Sequence, residues 1–216
     1  MLIGVRKRFV FVANSKTAST SIVNALSSHA EIMRGGTPQH KHIYMRDALR
    51  KYKFLFGQPE YAPNTFFRFG VMRDPIDWIQ SWYRYRRGNK VAKQLPEDMS
   101  FADFWAAKDW NIQFPDGTKR LQSTFFLNAK GQPLVDYIIP YADIEAQFAT
   151  ICAALGVKAP LPRKNVSKIK KTDADLPEDL RAEMVDFYAD DYALLGKLDQ
   201  INTTGAQKLQ EMSPAQ

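Results

Sequence analysis

The chain predicts an α/β fold in which a central parallel sheet is flanked by helices. Apolar runs rich in β-branched and aromatic residues, Phe9–Ala13, Phe66–Met72 and Val135–Ile139, alternate with segments whose apolar residues recur at helical spacing. No repeat and no long linker divides the 216 residues. One domain is therefore expected over 1–200, followed by a polar, flexible tail, 201–216, that contains Gly205 and Pro214. A hydrophobic content of 45% is enough for a real core and excludes a disordered chain.

The first strand, Phe9-Val10-Phe11-Val12-Ala13, leads into Ser15-Lys16-Thr17-Ala18-Ser19-Thr20-Ser21, and Ile22, Val23, Ala25 and Leu26 then resume at helical spacing. A strand, a hydroxyl-rich turn and a helix N-terminus make an anion cradle, because the first-turn N–H groups lack intrahelical acceptors and the helix dipole favours negative charge there. Lys16 adds a full positive charge. An ordinary strand-to-helix turn with Ser or Thr as N-cap accounts for the hydroxyls too. The turn is not a Walker A loop, since GxxxxGK[ST] is absent.

Arg34-Gly35-Gly36-Thr37-Pro38 is a turn cluster, followed by His40-Lys41-His42 and a helical pattern through Met45, Leu49 and Tyr52. The second strand, Phe66 to Met72, runs into Arg73-Asp74-Pro75, where proline suits a first helical position. That helix carries Trp78, Ile79, Trp82, Tyr83 and Tyr85 beside Arg84, Arg86 and Arg87, and ends near Gly88-Asn89. Ser100 caps a further helix, and 114–131 is irregular. The third strand, around Val135–Ile139, precedes an amphipathic helix from Ile144 to Leu155 that stops at Gly156. A basic loop spans 160–171, and a last helix, with a break, spans 176–195.

The 30 Lys and Arg against 23 Asp and Glu leave a charge of +7, which favours an anionic ligand. No zinc spacing, basic helix or RNP-like motif points to nucleic acid. Cys152 is the only cysteine, so there is no intrachain disulfide and no thiolate metal cluster. No apolar segment is long enough for a bilayer and no signal-peptide pattern opens the chain, so a cytoplasmic protein without a membrane anchor is expected.

A strand-end guanidinium at Arg73 with the hydroxyl of Ser81 makes a clamp for a second phosphate, although Arg73-Asp74 also reads as a turn-stabilising pair. Taken together, these segments resemble the sulfotransferases that use 3′-phosphoadenosine 5′-phosphosulfate (PAPS). The turn from Ser15 to Ser21 resembles their PKTGTTS loop, and its KTASTS wording is closest to the heparan sulfate uronyl 2-O-sulfotransferases. Arg73-Asp74-Pro75 through Ser81-Trp82-Tyr83 resembles their RDPxxRxxSxY motif. Gln122–Phe126, Asp136–Ile139, Asn165-Val166-Ser167 and Tyr188–Tyr192 follow in the family's order, so the likeness covers roughly residues 8 to 196.

The resemblance implies a P-loop-NTPase-like sulfotransferase fold and transfer of a sulfuryl group from PAPS to a hydroxyl, with PAP as product and no metal required. Lys16 would serve the leaving side. The turn residues Lys16, Thr17, Ala18, Ser19, Thr20 and Ser21 would hold the 5′-phosphate, and Arg73, Ser81, Ser167, Lys170 and Lys171 the 3′-phosphate side. His40-Lys41-His42 resembles the HxH segment of the 2-O group, implying His42 as base and His40 as a substrate or orienting residue. His29, at a helix end, is better explained as a C-cap.

The chain departs from the pattern at Ser15, in place of proline, and at Trp78, in place of a second arginine. The acceptor implied is a saccharide, and Arg84, Arg86 and Arg87 would suit an acidic one. A P-loop small-molecule kinase would need a Walker-type loop and magnesium. A non-catalytic nucleotide- or polyanion-binding module would need the phosphate loops but no base at His42.

Overall fold

The computed structural model describes residues 1–89, 91, 93–162 and 176–212. Strands β1 (Leu2–Gly4), β2 (Phe9–Phe11), β3 (Ile32–Met33), β4 (Phe67–Met72) and β5 (Tyr137–Pro140) form one five-stranded sheet in the order β3-β1-β2-β4-β5. β2, β4 and β5 run parallel, with Phe9 opposite Phe67 and Phe69 opposite Tyr137. β1 is antiparallel to both β2 and β3. The sheet is therefore mixed, which corrects the expectation of a parallel one. Only 5–8 separate β1 from β2, far too few for a parallel crossover, so β1 must fold back as a hairpin.

Among the described residues the α-helices, interleaved with the strands, are α1 (Ser19–Leu26), α2 (Pro38–Lys41), α3 (Met45–Lys51), α4 (Lys53–Phe56), α5 (Pro75–Gly88), α6 (Phe101–Ala106), α7 (Ile144–Ala154), α8 (Glu178–Phe187), α9 (Ala189–Leu195) and α10 (Leu198–Met212). Strand alternation sorts them into layers. Phe9, Phe11, Phe67, Phe69 and Val71 face Ile22 and Leu26 of α1 and Phe148 and Ile151 of α7. Val10, Val12, Met72 and Ile138 face Met45 and Ala48 of α3, Phe56 of α4 and Leu194 of α9. A third apolar cluster joins Trp78 and Ile79 of α5, Phe104 and Trp105 of α6, Met184 of α8 and Tyr188.

Local chemistry sets the helix ends. Pro75 opens α5, and the Asp74 carboxylate caps it by accepting from Asp77 N at 3.0 Å. Ser100 and Asp103 close a reciprocal capping box on α6.

The expected flexible tail is corrected up to Met212, because those residues form α10. Its buried stripe, Leu198, Gly205 and Leu209, is too sparse to stand out in a polar segment. Asn202 completes the edge of the sheet instead: it accepts from Ile138 N and donates to Ile138 O, each at 2.9 Å. Gly205 packs so tightly on the Asp136 carbonyl that any Cβ would collide with it. Among the described residues no helix is long and apolar enough to cross a membrane.

Candidate functional site

β2, β4 and β5 all end at one edge of the sheet, and the site grows from the residues that follow them. After β2 the chain makes its turn with two residues in the left-handed region, Lys16 (φ 61°) and Ala18 (φ 54°). Each costs on the order of 1–2 kcal/mol in an L-residue. Such alternation turns successive backbone N–H groups toward one concave side, which is the geometry of an anion nest.

Ala18 is the N-cap of α1 and supplies no side-chain cap. The first helical bonds are donated by Ser21 and Ile22, both to Ala18 O, at 2.9 and 3.2 Å. The N–H groups of Ser19 and Thr20 thus have no acceptor within the helix. The account in which a Ser or Thr caps the helix is not what the turn adopts.

The hydroxyls divide by role. Thr17 is buried and donates to Asn14 O at 3.1 Å, which pins the turn. Thr20 accepts from Lys41 Nζ at 3.0 Å. Ser19 and Ser21 are buried in the first turn of α1.

A buried polar network holds the two strand ends together. Gln122 accepts from Asn14 Nδ2 (3.0 Å) and from Arg73 N (3.2 Å), and donates to Arg73 O (2.8 Å). Gln122 N and Ser123 N in turn donate to the buried Asp191 carboxylate, at 2.9 and 2.8 Å. This places Arg73 beside Lys16. The Arg73 guanidinium lies over the Tyr141 ring at 4.5 Å and 3.7 Å from Asp77 Oδ2, and its buried Nε meets no acceptor among the described residues. Asp74 caps α5 and accepts from Tyr192 OH (3.2 Å), so Arg73-Asp74 is not the pair that the turn reading allowed.

Lys16 lies over the Tyr85 ring at 3.8 Å and the Trp82 ring at 5.7 Å. Burial pushes its pKa down to about 8, and the nearby positive charges of Arg73 and Arg84 push in the same direction. Several like charges held together in a half-buried turn are what an anion would neutralise.

His42 sits below the turn. Its Nδ1 is 2.6 Å from Ala13 O. A carbonyl only accepts, so Nδ1 carries the proton and Nε2 keeps the lone pair. Burial lowers the His42 pKa, the neighbouring charges of Lys41 and Arg120 lower it further, and the Ala13 bond opposes them. The imidazole is therefore neutral at pH 7 and basic at Nε2. His40 is exposed on α2, with its backbone N–H held by Thr37 and its carbonyl by Arg34.

Other expected residues fall elsewhere. Ser81 is half-buried on α5 and makes no hydrogen bond to Arg73 among the described residues. Trp78 is a core brace: it is buried, and its indole N–H donates to Ser15 O at 2.8 Å. Arg86 is buried against Asp109 and Asn111, and Arg87 bonds Tyr83 OH and Glu97 O, so neither is free for a saccharide. Ser167, Lys170 and Lys171 lie outside the described residues.

Sequence reasoning missed the part of Arg84 in the cradle and missed Arg120 entirely. Arg84 is three turns along α5, and Arg120 sits in the irregular segment, so neither is local to a motif. A cavity of about 1230 Å³ lies along α10 and the 114–135 segment; Tyr44, Phe114 and Ser123 line it, but Lys16, Arg73 and His42 do not. Among the described residues no group of three or more His, Cys, Asp or Glu is placed to hold a metal ion. Comparison with family models, with curated proteins and with solved structures finds no match for this chain.

Proposed function

We propose that this chain is a cytoplasmic sulfotransferase of P-loop-NTPase-like fold that transfers a sulfuryl group from PAPS to a hydroxyl of a saccharide. One observation carries the reading: a neutral histidine with its lone pair on Nε2 is anchored to Ala13 O, three residues from the lysine of an anion-binding turn. A turn that only bound phosphate would not need a base beside it. The Ser15–Ser21 and Arg73–Ser81 motifs supply the link to a donor with phosphates at both 3′ and 5′ positions.

PAPS supplies an activated sulfuryl group whose leaving group is a phosphate oxygen. His42 Nε2 takes the proton from the acceptor hydroxyl. The acceptor oxygen bonds to sulfur as the bond from sulfur to the bridging oxygen breaks, and the electron pair leaves with PAP. Lys16 and the N–H groups of Ser19 and Thr20 meet the negative charge on the leaving side. Arg73 and Arg84 add positive charge around Lys16. The products are a sulfate ester, PAP and a proton held on His42.

A thermal-shift panel tests the reading. PAP should raise the melting temperature, and ATP with magnesium should not. The reverse pattern would replace the sulfotransferase with a kinase.

A further inference from the structure

The fold anchors its cations in two ways. Arg68 is clamped by Asp136 at 2.8 Å and Arg86 by Asp109, so a carboxylate answers each charge. Lys108 has both kinds of partner: its ammonium lies 3.2 Å over the Trp105 ring and 2.9 Å from Glu183 Oε1. Lys16 has the ring without the acid. Its ammonium lies 3.8 Å over the Tyr85 ring, and among the described residues no carboxylate forms an ion pair with it. Arg73 is placed alike. Its guanidinium lies 4.5 Å over the Tyr141 ring, whereas Asp77 Oδ2 is 3.7 Å away, beyond a hydrogen bond.

A ring face attracts a cation through its quadrupole but brings no net charge. A carboxylate in the same place would pull harder, and it would also repel any anion that the cation is there to meet. A ring is thus the better holder for a cation that must bond a ligand.

The two rings are themselves fixed by the fold. Tyr85 lies three residues after Trp82 on α5, so the two share a helix face and meet edge to face at 5.9 Å. Trp82 meets Trp110 in the same way at 5.3 Å. Tyr141 is set by strand register. β4 and β5 are parallel with Met72 opposite Pro140, so the next residue on each chain is Arg73 and Tyr141.

We infer that Tyr85 and Tyr141 are positioning residues of the anion site, whose ring faces hold Lys16 and Arg73 for an anion at the ends of β2 and β4. The inference rests on the sulfotransferase reading for the identity of that anion. The ring face, not the hydroxyl, makes each contact, so phenylalanine should serve in either place.

Calorimetry of the full chain with inorganic pyrophosphate and with PAP tests it. Tyr85→Leu and Tyr141→Leu should each weaken both anions by about five- to tenfold, whereas Tyr85→Phe and Tyr141→Phe should stay within about twofold of wild type. In a Lys16→Met background Tyr85→Leu should cost nothing further, because the ring acts through that lysine. Tyr85→Glu separates holding from charge. It should raise the Lys16 pKa from about 8, read by NMR of isotope-labelled lysine side chains, and still weaken pyrophosphate by at least about tenfold. Tyr85 is 38% exposed, so its variants should keep the ligand-free melting temperature of wild type.

Leu variants that bind pyrophosphate as tightly as wild type, or more tightly, overturn the inference. So does an equal loss in the Phe variants, or additive losses for Lys16→Met and Tyr85→Leu. The functional reading fails separately: if wild type binds pyrophosphate but holds PAP no more tightly, the PAPS assignment falls while the rings are still judged on pyrophosphate. Wild type that binds neither anion brings down the anion site and the role of the rings together.

Discussion

β4 carries an arginine at each end, and the two are treated in opposite ways. At the start of the strand, Arg68 makes a two-pronged bond to Asp136 at 2.8 and 3.0 Å, and Lys208 adds a third contact at 3.0 Å. The two cations hold the Asp136 carboxyl below its ordinary range despite its burial. Just past the other end, Arg73 stands with Lys16 and Arg84, burial and like charges drive Lys16 down to about 8, and the Asp77 carboxylate lies 3.7 Å from Arg73. The first cluster is self-sufficient and holds α10 to the sheet. The second crowds like charges around Lys16 closely enough to lower its pKa, a repulsion that an anionic ligand would relieve. Like charges crowded together, rather than charge itself, separate the proposed binding edge from the structural one.

The sharpest way to break this comparison is at the base. His42→Ala should lower turnover by roughly 10²–10⁴-fold while PAP affinity is retained. Because the folded-state pKa of His42 is depressed, the acid limb of kcat/KM should fall below the ordinary histidine range. The same sign governs stability. Unfolded chains protonate His42 first, so its contribution is complete above its unfolded pKa and is lost as pH falls toward the depressed folded value. Turnover in His42→Ala within a few-fold of wild type would end the assignment of His42 as base.

A reciprocal pair of variants tests the two edges directly. Asp136→Ala leaves Arg68 and Lys208 with buried, uncompensated charge and should cost about 3 kcal/mol of stability, with PAP affinity unchanged. Lys16→Met should do the opposite. It removes a charge that the ligand-free fold tolerates poorly, gaining about 1–2 kcal/mol after discounting for the water that still reaches the side chain. It should also lose PAP affinity by at least tenfold.

The pH dependence follows from the same residue. Folding lowers the Lys16 pKa to about 8, so ligand-free wild type gains stability as pH rises from there toward the unfolded value near 10.5. A bound anion raises that pKa again, so PAP binding at pH 8.5 should take up protons, which calorimetry in buffers of different ionisation enthalpy measures. Binding without proton uptake at that pH would remove Lys16 from the contact.

How much of this was legible in the sequence depended on whether the parts were local. β2, its hydroxyl turn and α1 are contiguous, and so are β4, Arg73 and α5, so apolar runs and capping residues disclosed them. His42 was legible only through the resemblance of His40-Lys41-His42 to a motif. Its bond to Ala13 O joins residues 29 positions apart, and no periodicity reports that. β1 and β3 escaped because three-residue and two-residue strands are too short to show alternation. α10 escaped because its packing relies on an absent side chain at Gly205 and on Asn202 bonding a sheet edge, and both look like tail composition. Arg84 read, with Arg86 and Arg87, as a charge suited to an acidic saccharide. The structure splits the three: Arg84 stands near Lys16, and the other two brace neighbouring loops.

The finest test concerns the backbone of the binding edge. Ala18 is held at φ 54° and ψ 21°, where a methyl group costs on the order of 1–2 kcal/mol and glycine nothing. Glycine loses more freedom on folding, by about 0.5–1 kcal/mol, so the net gain for Ala18→Gly should be only about 0.5 kcal/mol in urea denaturation of the ligand-free protein. PAP affinity should change little, because the nest is made of main-chain N–H groups and Ala18 has no side-chain cap to lose. Ala18→Val should be destabilised by more than that gain, since a β-branched residue is a genuine outlier in the left-handed region. The structural edge contains the opposite case: Gly205 cannot accept a Cβ at all, because the Asp136 carbonyl occupies the place where one would stand. If Ala18→Gly instead destabilises the protein by a kilocalorie or more, the left-handed turn carries no strain to relieve, and the binding edge is as relaxed as the edge that holds α10.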